Sequence, residues 1–187
     1  MTYEDLTGQW DYRTLPNNVV LADDVLIERR DSFRRYRSEQ RPGLTLAEGV
    51  RVYTWTEFSI EPEGQVTVGR ESLLVGATIM CAERITIGSG VVISYNVTIA
   101  DCDFHPIDPE QRMADAIANA PGGDPTRRPL LETDPVVIGD GAWLGVGSIV
   151  LKGVHIGDGA RVAAGSVLAT SVPAGASVAG NPARIVG

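Results

Sequence analysis

From Ile138 onward an aliphatic residue returns at every sixth position: Ile138, Leu144, Val150, Ile156, Val162 and Leu168. The residues two places before them are all small or Val: Val136, Ala142, Ser148, Val154, Ala160 and Ser166. The same period runs upstream at Ile87, Ile93 and Ile99, and less regularly at Val68, Leu74, Met80 and at Leu46, Val52, Phe58. Six fits neither the 3.6-residue helix nor an uninterrupted strand. It fits a chain that makes a short strand, turns, and makes another. Strand side chains alternate, so the aliphatic residue and the one two places earlier share a face. Gly139-Asp140-Gly141, Gly157-Asp158-Gly159 and Gly88-Ser89-Gly90 supply turn residues between them. Three such strands close a triangular coil, and successive coils stack by parallel pairing at about 4.8 Å. The sequence therefore predicts an all-β parallel β-helix, and the period alone leaves its hand open.

Longer stretches add a resemblance to this period. Ile87-Gly88-Ser89-Gly90-Val91-Val92-Ile93-Ser94, Val137-Ile138-Gly139-Asp140-Gly141-Ala142-Trp143-Leu144-Gly145, Leu151-Lys152-Gly153-Val154-His155-Ile156-Gly157 and Ala179-Gly180-Asn181-Pro182-Ala183-Arg184 resemble the hexapeptide-repeat acyltransferases. The match is close over residues 66–187 and looser over 44–65. It implies a left-handed parallel β-helix built from hexapeptide repeats, assembled as a homotrimer. The relevant branches are the maltose and galactoside O-acetyltransferases and the acyltransferases of glycan and secondary-metabolite pathways.

Two segments lack the period. Residues 1–43 are expected to form a non-repeat N-terminal cap, leaving 44–187 as the β-helix domain, because a stacked solenoid needs a covered end. The cap carries Arg29, Arg30, Arg34, Arg35, Arg37 and Arg41. Two readings stand open for them: a solvated face partnered by Glu28, Asp31 and Glu39, or an anion site for a phosphorylated substrate or coenzyme A. The second interruption follows Ile99. The next repeat position is His105, and the period resumes only at Ile138, so an excursion loop over 105–135 leaves the coil at one corner. Long irregular excursions in small domains tend to be functional. Arg112 to Ala120 is predicted as a short helix ended by Pro121-Gly122-Gly123-Asp124-Pro125. In the family such a loop leans across a subunit boundary and helps to enclose the active site.

Composition narrows the function. The 187 residues carry a formal net charge of −8, which argues against bulk nucleic-acid or anionic-membrane binding. No apolar run approaches the roughly 20 residues of a membrane span, and the first residues do not read as a signal peptide, so a cytoplasmic protein is expected. Cys81 and Cys102 form no metal or disulfide pattern and read as buried packing residues. The two histidines, His105 and His155, are too few for the three-histidine metal site of the γ-class carbonic anhydrases, so no metal is expected.

His155 precedes an aliphatic repeat position and reads as a surface residue. His105 lies in Asp101-Cys102-Asp103-Phe104-His105-Pro106-Ile107-Asp108, which resembles the His-Pro-x-Asp element of the family's O-acetyltransferases, whose histidine is the general base. A neutral imidazole suits the task, since acyl transfer from a thioester requires removal of the acceptor's proton. Its second ring nitrogen needs an acceptor, for which the backbone, Asp103 and Asp108 are candidates. The resemblance further implies that the Val146 N–H stabilises the oxyanion, that Trp143 lines the acceptor pocket, and that acetyl-CoA, or another acyl-CoA, runs past Ala163 and Gly165. The family's Thr-Lys-Asp-x-Pro reads here as Ala169-Thr170-Ser171-Val172-Pro173. Thr170 thus replaces a lysine that meets a CoA phosphate, and Arg184 and Arg161 are candidate substitutes. The expected activity is O-acetyl transfer to a sugar-containing small molecule or glycan precursor. The alternative is a catalytically idle β-helix acting as a scaffold or ligand-binding subunit.

Overall fold

Three sheets of six, eight and five strands, parallel but for one C-terminal hairpin, enclose one apolar interior in the computed structural model, which describes residues 15–187. The first face stacks Val19–Leu21, Leu44–Leu46, Gln65–Val68, Arg84–Ile87, Val136–Ile138 and His155–Ile156. The chain then turns onto the second face, and from there onto the third, before rising to the next coil. The architecture is a left-handed parallel β-helix.

Register explains the six-residue spacing. On the first face Leu46, Val68, Ile87, Ile138 and Ile156 pair in one column. On the second, Ile27, Val52, Leu74, Ile93, Leu144, Val162 and Val178 do the same. Phe58, Ile79, Ile99, Val150 and Leu168 form the third column. All of these side chains are buried, as are the small residues two places earlier between Val136 and Ser166. Each coil thus lays like groups over like, and burying one aliphatic side chain contributes about 1.5–3 kcal/mol.

Met80 departs from expectation. Ile79 and Cys81 point inward instead, because the preceding corner at Gly76 is one residue shorter and the inward position arrives early.

Corner glycines serve two purposes. A Cβ on Gly139 would lie 2.6 Å from the Asp158 nitrogen of the next coil, so this glycine permits close stacking. Gly141 has open space around it but a φ of +65°, so it permits the turn itself. Asp140 and Asp158 join successive corners: Ser89 N–H donates to Asp140 at 2.7 Å, and Asp140 N–H to Asp158 at 2.9 Å.

The described part of the expected cap continues the sheets. Val19–Leu21 pairs with Leu44–Leu46, and Leu26–Ile27 with Arg51–Tyr53, forming an incomplete first coil. A 3-10 turn at Arg30–Phe33 stands in for its third side, and Arg37 N–H then bonds the Ile60 carbonyl. At the other end Ser177–Gly180 and Ala183–Val186 close the second face as an antiparallel hairpin.

The excursion leaves the third face after Thr98–Ala100 and returns at Val136. Its base is tied by a Cys102–Thr133 bridge and by Asp101, a buried carboxylate accepting from the N–H groups of Ala82, Glu83 and Arg84 at 2.7–2.8 Å. Within it Pro109–Asn119 forms an α-helix. Asp108 caps it by accepting from Gln111 N–H at 2.9 Å, and Pro109 occupies the first turn, where no donor is lost.

Candidate active site

His105 stands at the mouth of the excursion, held from three directions. Phe104 before it has φ +64°, a conformation that is strained for a bulky side chain. The Arg128 guanidinium pins that peptide by donating to the Phe104 carbonyl at 3.2 Å. The ring then meets Asp115 from the capped helix, with Nδ1 2.5 Å from Oδ2. Asp115 is 0% exposed, whereas the His105 side chain is 54% exposed. One ring edge is therefore clamped and the other, bearing Nε2, is open.

Asp115 is itself fixed. Its Oδ1 accepts from Arg128 Nε at 2.7 Å and from the Asn119 side-chain amide at 3.2 Å. Burial alone would raise the pKa of this carboxyl, but the hydrogen bonds from Arg128 and His105 outweigh that and hold it below the ordinary value. Arg128 continues to Glu61 at 2.7 Å, and Glu61 accepts from Arg37 at 2.5 Å. A chain of alternating charge thus runs His105–Asp115–Arg128–Glu61–Arg37. With Asp115 ionised, the Nδ1–H tautomer is favoured, leaving Nε2 as the basic atom toward solvent.

The sequence left the orienting acceptor open between the backbone, Asp103 and Asp108; in the structure it is Asp115. Asp103 is paired with Lys152 at 2.6 Å, and Asp108 is engaged in capping the helix. Both still line a small hollow of about 130 Å³ beside His105. Asp115 was missed because only the fold of the excursion brings it back to His105. The expected helix was the one available signal.

His105 also borders a larger cavity of about 440 Å³, walled by Arg35, Arg37, Glu61, Phe104, Asn119 and Arg128. Two arginines of the N-terminal cluster thereby share a cavity with the candidate base. Their partners are Glu57 and Glu61, which the sequence did not suggest. Of the expected partners, Asp31 pairs with Arg29, while Glu28 accepts from Thr54 N–H.

A second group of expected residues meets elsewhere. Trp143, Val146 and Ala163 line one groove of about 420 Å³ with Ser94 and Arg161, on the second face and its following corner. The Val146 carbonyl accepts from Gly165 N–H at 2.8 Å, while Val146's own N–H is without a partner among the described residues. Arg184 lies in the closing hairpin, paired with Ala179. Thr170 is exposed at the corner from which, two coils earlier, the excursion departs. Neither His105 nor its cavity borders the groove, so one chain does not unite the two groups.

The other histidine and the two cysteines line neither the His105 cavity nor the groove. His155 is exposed on its strand. Burial pushes the Cys102 thiol up to about 12, and Cys81, beside Asp101, is raised further. Among the described residues no group of three or more His, Cys, Asp or Glu could hold a metal ion, and no helix is long and apolar enough to cross a membrane.

Comparison with known proteins agrees with this architecture. The bacterial transferase hexapeptide model, with six repeats, matches residues 135–170. Nodulation protein L of Rhizobium meliloti (strain 1021) is 42% identical over 123 residues, covering 65% of this chain and 59% of that protein. The chain thus carries bacterial transferase hexapeptide repeats and is similar to that protein over part of its length. Among solved structures, this hexapeptide-repeat chain is similar to a galactoside acetyltransferase in complex with coenzyme A. The TM-score is 0.52 and the identity 28%, covering 65% of this chain and 54% of that one. A hexapeptide-repeat acetyltransferase from Vibrio cholerae O1 biovar eltor, complexed with acetyl coenzyme A, superposes at TM-score 0.61 with 24% identity. That match covers 83% and 73% of the two chains and speaks to fold. The chain spans less than two thirds of the nodulation protein it matches.

Proposed function

We propose that this protein is a CoA-dependent acyltransferase that moves an acetyl group to a hydroxyl of a sugar-containing small molecule, with His105 as general base. The observation that carries the reading is the half-exposed imidazole clamped through Nδ1 by a buried, ionised Asp115. A solvated surface histidine does not need such a partner, and an idle scaffold does not need a strained backbone to aim the ring.

The step follows from that geometry. Nε2 takes the acceptor's proton as its oxygen bonds to the thioester carbonyl carbon. The imidazolium is stabilised by Asp115 until it returns the proton to the departing sulfur, as the C–S bond breaks. Neither buried cysteine is needed, and no covalent enzyme intermediate forms. The unpartnered Val146 N–H is the candidate oxyanion donor. Trp143, Ala163 and Gly165 form the candidate wall for the acyl-CoA, with Arg161 and Arg184 the cations toward its phosphates, given Thr170 at the lysine position. Asp103 and Asp108 flank the smaller hollow, where they can accept hydrogen bonds from an acceptor.

This assignment requires a second copy of the chain, because the base and the Val146 groove lie apart in one. A homotrimer supplies it. Apolar Ile107, Met113, Ile117 and Leu130 are exposed on the excursion, and Trp143 and Val146 are exposed on the groove, giving surfaces that association would cover. The test is thiol release from acetyl-CoA over a panel of sugar acceptors, beside His105→Ala. Turnover that falls at least ~10²-fold in the variant supports the reading. Equal rates in the two proteins, or no release with any acyl-CoA, overturn it.

A further inference from the structure

The His105 cavity has a feature that hydroxyl transfer by itself does not call for: Arg35 and Arg37 are more exposed than Glu61 and Asp115. Asp115 and Glu61 are already engaged by arginines. Asp115 is fully buried, and Glu61, at 11% exposure, is held by both Arg37 and Arg128. The cations reach the surface of the cavity. Arg35 is 67% exposed, and among the described residues its one ion pair is to Glu57 at 3.3 Å; Arg37 is 34% exposed. Arg37 Nε–H, itself buried, lacks a hydrogen-bond partner among the described residues. A molecule entering the cavity therefore meets exposed guanidinium groups with His105 beside them, while Glu61 in the cavity wall is already held by two arginines.

We propose that Arg35 and Arg37 form an anion subsite of the acceptor pocket, so that the acceptor is a small molecule bearing a carboxylate or phosphate group as well as its reacting hydroxyl. The inference rests on the reading of His105 as the acyl-transfer base and names the class of acceptor that base serves. About 440 Å³ is within the range of small-molecule pockets, and suits an acceptor of monosaccharide size rather than a whole nucleotide cofactor. A guanidinium fork binds either oxyanion through paired N–H donors, which accounts for arginine rather than lysine at both positions. The folding of the N-terminal segment supports the assignment. The backbone bond from Arg37 to Ile60 lays residues 35–37 along the third face, directly beside the coil that carries Glu57 and Glu61.

The experiment has two arms. In the first, glucose, glucuronate and glucose 6-phosphate are titrated onto the full-length protein while the arginine side-chain Nε–H signals are followed by nitrogen-15 NMR. The proposal expects the charged sugars to shift the Arg35 and Arg37 signals and glucose not to. It also expects Arg35→Gln to weaken that binding roughly tenfold and His105→Ala to preserve it. Comparison of glucuronate with glucose 6-phosphate decides between carboxylate and phosphate. In the second arm, kcat/KM is compared for the same three acceptors with acetyl-CoA. The charged acceptors are expected to lead by roughly tenfold or more, and Arg35→Gln to reduce that lead to within about threefold with the KM for acetyl-CoA unmoved. Binding without turnover would defeat the acyltransfer reading and leave the anion subsite standing. Equal responses to glucose and the charged sugars, or an Arg35→Gln protein that binds them as well as wild type, would overturn the subsite.

Discussion

Asp115→Asn isolates what the buried carboxylate does for His105. Oδ1 already accepts from Arg128 Nε at 2.7 Å and from Asn119. An asparagine must therefore turn its carbonyl toward Arg128 and present its NH₂ to His105. That NH₂ cannot accept from Nδ1–H, so the ring loses a bond of 2.5 Å and is pushed to the tautomer with its proton on Nε2. Recovering the productive tautomer leaves two donors facing each other in a buried site, at a cost of about 1–3 kcal/mol, or up to roughly a hundredfold in population. Loss of the charge that stabilises the imidazolium adds to this, so kcat is expected to fall by on the order of 10²–10⁴. The KM for acetyl-CoA should change little, because Asp115 does not border the Trp143 groove. The assay is steady-state thiol release, run where urea titration shows the variant to be folded, together with histidine nitrogen-15 spectra. The chain has two histidines, so His155→Gln assigns the spectrum. A variant with kcat within about threefold of wild type and Nδ1 of His105 still protonated would refute the argument.

Three further outcomes follow from the fold. Gly139→Ala places a Cβ 2.6 Å from the Asp158 nitrogen and should cost about 1–3 kcal/mol, read as a lower urea midpoint; an unchanged midpoint would contradict the close stacking at that corner. Both thiols are buried and raised, Cys102 to about 12, so Ellman's reagent at pH 8 should titrate neither in the native protein and both in urea. Because the folded pKa of Asp115 is lowered, its stabilisation is complete above the unfolded carboxyl value of about 3.9 and is lost as pH falls through the folded value. The stability gap between wild type and Asp115→Asn should accordingly be level near neutrality and narrow only below about pH 4.

The repeat was legible because every coil imposes the same burial on the same position. Ile138 through Leu168 all point inward, and the residues two places earlier are buried with them. Legibility failed where coil length changed. The shorter corner at Gly76 moved the inward position from Met80 to Ile79, and a 3-10 turn in place of a strand hid the first coil inside the expected cap. His105 was legible from its motif and from the point where the period breaks. Its partners were not, since Asp115, Arg128, Glu61 and Arg37 come from a helix, a loop, a coil corner and the N-terminal segment. No spacing rule joins those four. Asp103 and Asp108, adjacent to His105 in sequence, were the natural guesses, but a lysine and a helix end engage them first.

In the proposed mechanism His105 is the base of a site completed by a second copy of the chain. Mixed assembly tests it most directly. His105→Ala removes the base, and Val146→Pro removes the unpartnered N–H on the separate groove. Each alone should be inactive while keeping its folded, associated state. When the two are refolded together in equal amounts, random trimers should regain roughly a quarter of wild-type activity. One quarter of inter-subunit sites then pair an intact His105 with an intact Val146. Mixtures no more active than the separate variants, or a His105→Ala protein that turns over like wild type, would contradict it.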